Sequence, residues 1–533
     1  MRPSHVEATP LAALTALDAV PGAWLALPDG LDPDDPQAPA VVTGITSNSG
    51  AVRPGDLFAA LPGSSGHGAR FAAQAVTAGA TAILTDADGL AELDGVVAVP
   101  VLVVDRPREA LGHVAAEIYG HPSDRLTVVG ITGTSGKTTT TFLIRAGLQA
   151  AGREVGLIGT VGVFLGEESL KTAFTTPEAD QLQGLLAAMA ERGLDTVAME
   201  VSSHALRMGR ANGVRFALGG FTNLSQDHLD FHADMEDYFQ AKALLFDGRA
   251  ASEVVVIDDE WGRRLIAPGR ITVATRPELA DGADWSAGSV QVQPDGSTRF
   301  VVHGPGGRSF PGGCRIPGAY NIANTVLALA VLAELGLDPA AIAPAVAQAQ
   351  VRGRMERVDG DQPFLAVVDY SHKPAGVSSA LQALRPLTRG RLIIVLGCGG
   401  DRDRGKRPLM GEVAARDADV LIVTDDNPRS EDPATIRAAM LAGTVTVPAA
   451  ARAEVIEEGS RRRAIERALA LAASGDTVLV AGKGHETGQQ IGPDMLPFDD
   501  VTVVAESLTE LGYRPAGSPS VVRDALREQE DER

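Results

Sequence analysis

Short apolar runs separated by helix-length segments recur along most of this chain. The first group is Asp56–Leu61, Ala80–Thr85 and Val99–Val104, with a helical stretch near 71–78. A second comprises Leu126–Ile131, Thr196–Met199, Phe216–Leu218 and Val254–Ile257. A third comprises Phe364–Val368, Leu392–Leu396, Val420–Val423 and Val478–Val480. Runs of three to six mostly apolar residues without polar alternation fit parallel strands buried on both faces. With helical segments between them they predict an α/β protein, the third group reading as a doubly wound, Rossmann-like sheet. The grouping predicts three domains, over 1–107, 108–355 and 356–533. Residues 1–40 read as a loose lead-in, and the stretch after Pro515 as a mobile, charged tail.

At 533 residues the length agrees with three domains, on a soft prior of about 150 residues each. Apolar residues make up 44% and aromatics only 4%, so Ala, Val, Leu and Gly must fill the core. The net charge of −21 argues against nucleic acid or an anionic membrane as partner, though a local basic pocket remains compatible with it. Cys314 and Cys398 form no metal-binding or Cys-x-x-Cys spacing, which suits a reducing cytoplasm. No signal peptide and no run of 18 apolar residues is evident, so neither secretion nor a membrane span is expected.

The chemistry begins at Gly133-Thr134-Ser135-Gly136-Lys137-Thr138-Thr139, between the run Leu126–Ile131 and a predicted helix over Thr139–Leu148. Strand, glycine loop, Lys-Thr and helix is the arrangement that holds a nucleoside triphosphate. Backbone N–H groups converge on phosphate oxygens, the lysine reaches the β/γ-phosphates and the hydroxyl ligates Mg²⁺. Ile131 stands where the common motif has its first glycine, so this is a variant phosphate loop. Glu200, at the end of another predicted strand, is a candidate Mg²⁺ ligand. The segment Thr222–His232 is dense in polar groups and places His228 between Asp227 and Asp230. Lys242, on a helix over Tyr238–Phe246, reads by itself as a surface lysine with a snorkelling stem.

Three later loops each follow a predicted strand: Gly397–Pro408, Thr424–Arg429 and Ala481–Glu486. Ligands on open α/β sheets bind beyond the strands' carboxyl ends, so the three should face one crevice. They supply Arg407, Asn427, Arg429 and Glu486. Guanidiniums suit a carboxylate and Glu486 suits an ammonium; together they describe an amino-acid pocket.

Taken in order, Thr132–Thr139, Met199–His204, Thr222–Asp230, Arg352–Glu356 and Asp426–Arg429 resemble the blocks of the Mur ligase family, over about Ile45 to Glu486. Among its branches the resemblance is to the one that adds diaminopimelate. The resemblance implies three domains: an N-terminal uridine diphosphate-binding domain, a central phosphate-loop ATP-binding domain with a mostly parallel sheet, and a C-terminal Rossmann-like domain. It implies that Gly133, Thr134, Ser135, Gly136, Lys137, Thr138, Thr139, Asn321, Asn324, Arg354 and Asp369 contact ATP. Ser49, Ser64, Ser65, Gly66, Thr175, Thr176, Ser202 and Arg210 would contact the uridine diphosphate sugar-peptide. Arg407, Asp426, Asn427, Pro428, Arg429, Gly482 and Glu486 would form the amino-acid site. Lys137, Glu200, His228 and Lys242 would be catalytic, with two Mg²⁺ ions held by Thr138, Glu200, His228 and Lys242 as its carbamate. That reverses the bland reading of Lys242. Arg429 matches a position where the family pairs arginine with the distal carboxylate of diaminopimelate. The sequence departs from the family at Asn48-Ser49-Gly50, Met208 and Val256.

The activity so implied is ATP-driven amide formation. The substrates would be a uridine diphosphate N-acetylmuramoyl dipeptide and diaminopimelate, with ATP as co-substrate, in the cytoplasm. Other cell-wall enzymes as partners are left open. Closure of the third domain about a hinge near Val351–Arg357 is expected. The rival readings are a lysine-adding relative, a folylpolyglutamate-type ligase, a phosphate-loop kinase, and an inactive nucleotide-binding partner.

Overall fold

The computed structural model describes residues 1–28, 41–63, 66–93, 98–166, 168–170, 174–229, 231–293 and 296–514. Ser64, Ser65, Asp230, most of the Pro-rich stretch before Val41 and the tail after Arg514 lie outside the described residues. The chain divides into two compact units: 1–288 with 302–310 and 323–346, and 289–301 with 311–322 and 347–533.

The first unit holds two main sheets and two two-stranded pairings, Thr9–Pro10 with Val41–Val42 and Pro62–Gly63 with Gly66–His67. Its smaller sheet runs in the order Trp24–Ala26, Val101–Val103, Ala82–Thr85, Asp56–Ala59, Gly44–Thr46. All its pairings are parallel except that of the edge strand Trp24–Ala26. In the larger sheet Thr127–Thr132 lies between Thr196–Glu200 and Phe216–Phe221, parallel to both. Val155–Gly159 extends it on one side, and Ala250–Val256 and Ile271–Ala274 on the other, all in parallel. At one edge Gly162–Leu165 and Glu168–Leu170 run antiparallel. The central position of Thr127–Thr132 explains its mostly apolar sequence: Val128, Val129 and Ile131 are completely buried. The registers Ile131 to Glu200 and Thr132 to Phe221 bring the phosphate loop, Glu200 and the loop after Phe221 to one sheet edge.

In the second unit the order is Glu356–Arg357, Leu365–Asp369, Thr477–Ala481, Leu392–Cys398, Val420–Asp425, Glu454–Glu457. Every pairing is parallel except that of Glu356–Arg357. The strands ending at Ala481, Cys398 and Asp425 are adjacent and parallel, so the three loops singled out in the sequence do leave one edge.

The helices Lys406–Asp417 and Pro433–Thr444 pack at glycine contacts. A Cβ on Gly411 would lie 1.9 Å from the Met440 carbonyl oxygen, and one on Gly443 would lie 1.8 Å from that of Pro408. Backbone cannot yield as a flexible side chain does, so overpacking here separates the helices. Gly411→Ala is expected to destabilise the protein by about 3 kcal/mol, read by chemical denaturation. A loss below about 0.5 kcal/mol would refute this packing.

Candidate functional site

The predicted helix after the phosphate loop starts earlier than Thr139: it spans Lys137–Ala150, because Gly136 takes a left-handed φ of 86° and caps it. Lys137, Thr138 and Thr139 therefore occupy the first turn, where backbone N–H groups lack intrahelical partners. Gly133 has φ 145°, and a Cβ there would lie 1.8 Å from Thr222 Oγ1. A Cβ on Gly136 would lie 2.4 Å from Asn324 Oδ1, so Asn324 adjoins the loop. Lys137 Nζ donates to the carbonyls of Gly133 at 2.7 Å and Thr134 at 2.8 Å. Ser135 N–H donates to Asn223 Oδ1 at 3.1 Å.

Glu200 is buried, and its carboxylate gathers donors. Thr138 Oγ1 donates to it at 2.9 Å, Thr160 N–H at 2.8 Å and Thr160 Oγ1 at 3.0 Å. The hydroxyl of Thr176 donates to the Glu200 carbonyl at 2.9 Å and accepts from Ser202 N–H at 3.2 Å. Thr175 Oγ1 lies 3.1 Å from Thr160 Oγ1. Arg210 pairs with Glu178 at 2.7 Å and donates to the Thr176 carbonyl at 3.3 Å. Six of the eight residues assigned to the sugar-peptide lie among the described residues. Thr176 bonds Glu200 directly and links Ser202 and Arg210 to it, Thr175 is linked through Thr160, and Ser49 lies in the short helical turn Ser49–Ala51 after the first sheet's strand Gly44–Thr46. Gly66 sits in the two-residue strand Gly66–His67.

Lys242 corrects the surface reading: it is buried, with 1% exposure. Its Nζ donates to the Gly133 carbonyl at 2.7 Å and lies 4.6 Å from the centre of the Tyr238 ring. Burial, reinforced by Lys137 nearby, pushes its pKa well below the ordinary lysine value; Asp227 opposes this. Its helix is α only over Met235–Ala243 and tightens into a 3-10 turn at Leu244–Phe246. Tyr238 Oη lies 3.1 Å from Thr134 Oγ1, joining this helix to the phosphate loop. His228 has a left-handed φ of 53° and packs edge-on against His204, ring centres 4.8 Å apart. His232, unremarked in the sequence, is buried and bridges Ser203 Oγ at 3.0 Å and Asp237 at 3.1 Å. Among the described residues no three His, Cys, Asp or Glu side chains form a ready-made metal cluster.

In the second unit Asp369 accepts from Met355 N–H at 2.8 Å and from Ser371 N–H at 2.8 Å. The Arg354 guanidinium stacks 4.7 Å from the Tyr370 ring centre. Asn321 Nδ2 donates to the Pro317 carbonyl at 2.8 Å. Arg407 is buried and engages Glu431 through both terminal nitrogens, at 3.1 and 2.8 Å. That pairing, with further donation from Asp401 N–H, draws the Glu431 carboxyl down to about 2. Arg429, with φ 51°, donates through Nη1 to the Gly400 carbonyl at 2.6 Å. Its backbone is clamped by the hairpin Gly488–Pro497: Arg429 N–H donates to Gln490 O at 3.1 Å and Gly492 N–H to Arg429 O at 2.7 Å. Asn427 Nδ2 donates to Glu486 Oε2 at 2.9 Å. Gly482 lets Asp426 come close, since a Cβ there would lie 2.7 Å from Asp426 Oδ2. The loop residue Pro428 leads directly into Arg429, and its carbonyl accepts from Glu431 N–H at 3.1 Å. The amino-acid candidates therefore converge, and the sequence reading had overlooked Lys483 in their midst.

The description "Mur ligase family, catalytic domain" matches 41–119, "Mur ligase middle domain" matches 131–332, and "Mur ligase, glutamate ligase domain" matches 353–484. The chain is 52% identical to a UDP-N-acetylmuramoyl-L-alanyl-D-glutamate–2,6-diaminopimelate ligase of Streptomyces avermitilis, over 96% of this chain and 98% of that one. It is 42% identical to a UDP-N-acetylmuramyl-tripeptide synthetase of Leifsonia xyli subsp. xyli, over 96% and 98%. A solved structure of a UDP-N-acetylmuramoyl-L-alanyl-D-glutamate–2,6-diaminopimelate ligase superposes with a TM-score of 0.67 at 29% identity, covering 95% of this chain and all of that one. The chain belongs to the Mur ligase family.

Proposed function

We infer that this chain is an ATP-dependent ligase that joins diaminopimelate to the D-glutamate γ-carboxylate of UDP-N-acetylmuramoyl-L-alanyl-D-glutamate, in the synthesis of peptidoglycan precursors. The observation that carries the reading is a phosphate loop hydrogen-bonded to the buried carboxylate of Glu200, together with a group of residues in the second unit that holds both guanidiniums and carboxylates. We propose three functional domains, over 1–107, 108–355 and 356–533. No helix among the described residues is long and apolar enough to cross a membrane, and the substrates put the enzyme in the cytoplasm.

A carboxylate is a poor electrophile toward an amine. The γ-carboxylate oxygen attacks the γ-phosphorus of ATP, the bond to the bridging oxygen breaks, and ADP leaves. The diaminopimelate amine then adds to the acyl carbon, loses a proton, and expels phosphate as the amide forms. The first step gathers negative charge, so catalysis is chiefly electrostatic positioning. Lys137 and the N-terminal turn of its helix meet the phosphates. Thr175, Thr176, Ser202 and Arg210 orient the dipeptide beside Glu200. Gly133 to Thr139, with Asn321, Asn324, Arg354 and Asp369, bind the nucleotide. Ser49, Ser64, Ser65 and Gly66 receive the uridine diphosphate.

The residues present fit Mg²⁺. Glu200 and the Thr138 hydroxyl, 2.9 Å apart, offer hard oxygens at the phosphate loop. Mg²⁺ commonly takes only one or two protein ligands beside phosphate oxygens and water, so a dense acidic cluster is unnecessary. His228 and Lys242 complete the candidate set. Lys242 suits carbamate formation because a neutral amine is the nucleophile for CO₂, and its lowered pKa favours that form. When bound, the metal would neutralise charge on the transferring phosphoryl group.

Arg429 is the cation proposed for the distal carboxylate of diaminopimelate. Arg407 contributes differently. Its terminal nitrogens are taken by Glu431, whereas its buried Nε–H has no partner among the described residues and seeks an acceptor. Arg429→Ala is expected to raise KM for diaminopimelate roughly 100-fold, with KM for ATP unchanged, in an ADP-release assay. Retained discrimination against L-lysine in that variant would count against the assignment.

A further inference from the structure

Lys483 is completely buried, in a loop between Gly482 and Gly484. Such a cation persists only where its neighbours satisfy it. Its Nζ donates to Asn427 Oδ1 at 2.9 Å and to Glu486 Oε2 at 3.0 Å, and lies 3.9 Å from Asp426 Oδ1. Asn427 Oδ1 also accepts from Gln490 N–H at 2.9 Å, and Asn427 Nδ2 donates to Glu486 Oε2. One carboxylate oxygen of Glu486 therefore takes two donors from within the protein. Its other oxygen, Oε1, accepts no hydrogen bond among the described residues, and the side chain is one-third exposed.

Beside this lies a second pair, Arg461 with Asp500, wholly buried and joined by bonds of 2.8 and 2.7 Å. Arg461 also donates to the carbonyl of Ala481 at 3.0 Å, at the base of the Lys483 loop. Arg461 and Lys483 set two positive charges against three carboxylates, those of Asp426, Glu486 and Asp500.

We propose that Lys483 is a positioning residue that pins Glu486 Oε2 and Asn427, leaving Glu486 Oε1 as the acceptor for the ammonium of the incoming amino acid. The proposal rests on the reading of this pocket as the amino-acid site. It assigns Lys483 no contact with substrate; it acts through Glu486.

The test is steady-state ADP release by wild type, Lys483→Met, Glu486→Gln and the double variant, with each substrate varied in turn. Lys483→Gln runs in parallel: it keeps a donor and serves if the methionine variant does not fold, which thermal unfolding shows. Lys483→Met is expected to raise KM for diaminopimelate about 10- to 100-fold, the worth of one or two hydrogen bonds to a charged group. KM for ATP and for the dipeptide substrate should stay within about twofold. Lys483→Gln should fall between. The double variant should be no worse than Glu486→Gln alone, because the two act as a unit. Equal rises in all three KM values, or additive losses in the double variant, would overturn the proposal while leaving the functional reading intact. Absence of diaminopimelate turnover by wild type would remove both.

Discussion

Replacing Lys137 by methionine is expected to lower kcat/KM for ATP by about 10³-fold while leaving the fold intact. The two effects separate because of where the side chain lies. Its Nζ bonds carbonyls of its own loop, Gly133 and Thr134, and the residue is half-buried. Methionine keeps the apolar stem and removes the charge. Little of the core depends on that charge, but the transferring phosphoryl group gathers negative charge that no neutral side chain offsets. ADP release gives the rate, and thermal unfolding confirms the fold. A loss of less than about tenfold would mean that the loop does not hold the reacting phosphates.

Lys242→Met is expected to have the second largest effect, and the opposite sign on stability. Activity should fall by at least about 10²-fold, since the variant cannot form a carbamate. Stability should rise. The folded-state pKa of Lys242 is depressed, mainly by burial and then by Lys137. Between the ordinary lysine pKa and that lowered value, the unfolded chain binds a proton that the folded chain does not. Stability is then lost as pH falls through that window, a slope that methionine removes. In carbonate-free buffer at neutral pH the variant should melt at a higher temperature than wild type. A lower melting temperature together with full activity would show that Lys242 serves packing alone.

What the sequence disclosed, and what it hid, follows from the range of the interactions. The phosphate loop was legible because glycine conformation, strand and helix are encoded within about twenty consecutive residues. The shared edge of the three later loops was legible because parallel topology places strand ends together. Lys242 was not: its helix segment reads as amphipathic, and the Gly133 carbonyl that receives it lies 109 residues away. Arg461 stands in the run Arg461-Arg462-Arg463, which reads as a solvated surface, yet Arg461 is buried against Asp500, 39 residues on. Lys483, between two glycines, gives no local sign of burial. Local pattern reveals backbone geometry; the burial of a charge is decided by a partner the pattern cannot name. The resemblance to the Mur ligases supplied Lys242 where periodicity did not, but it offered no role for Lys483.

The central claim is the identity of the amide formed. Purified protein would be incubated with UDP-N-acetylmuramoyl-L-alanyl-D-glutamate, ATP and Mg²⁺, adding meso-diaminopimelate, LL-diaminopimelate or L-lysine in separate reactions, and the nucleotide-sugar product weighed by mass spectrometry. The account predicts a product heavier by one diaminopimelate residue, formed with one ADP per amide and absent with lysine. A lysine adduct, or ADP release without any amide, would contradict it.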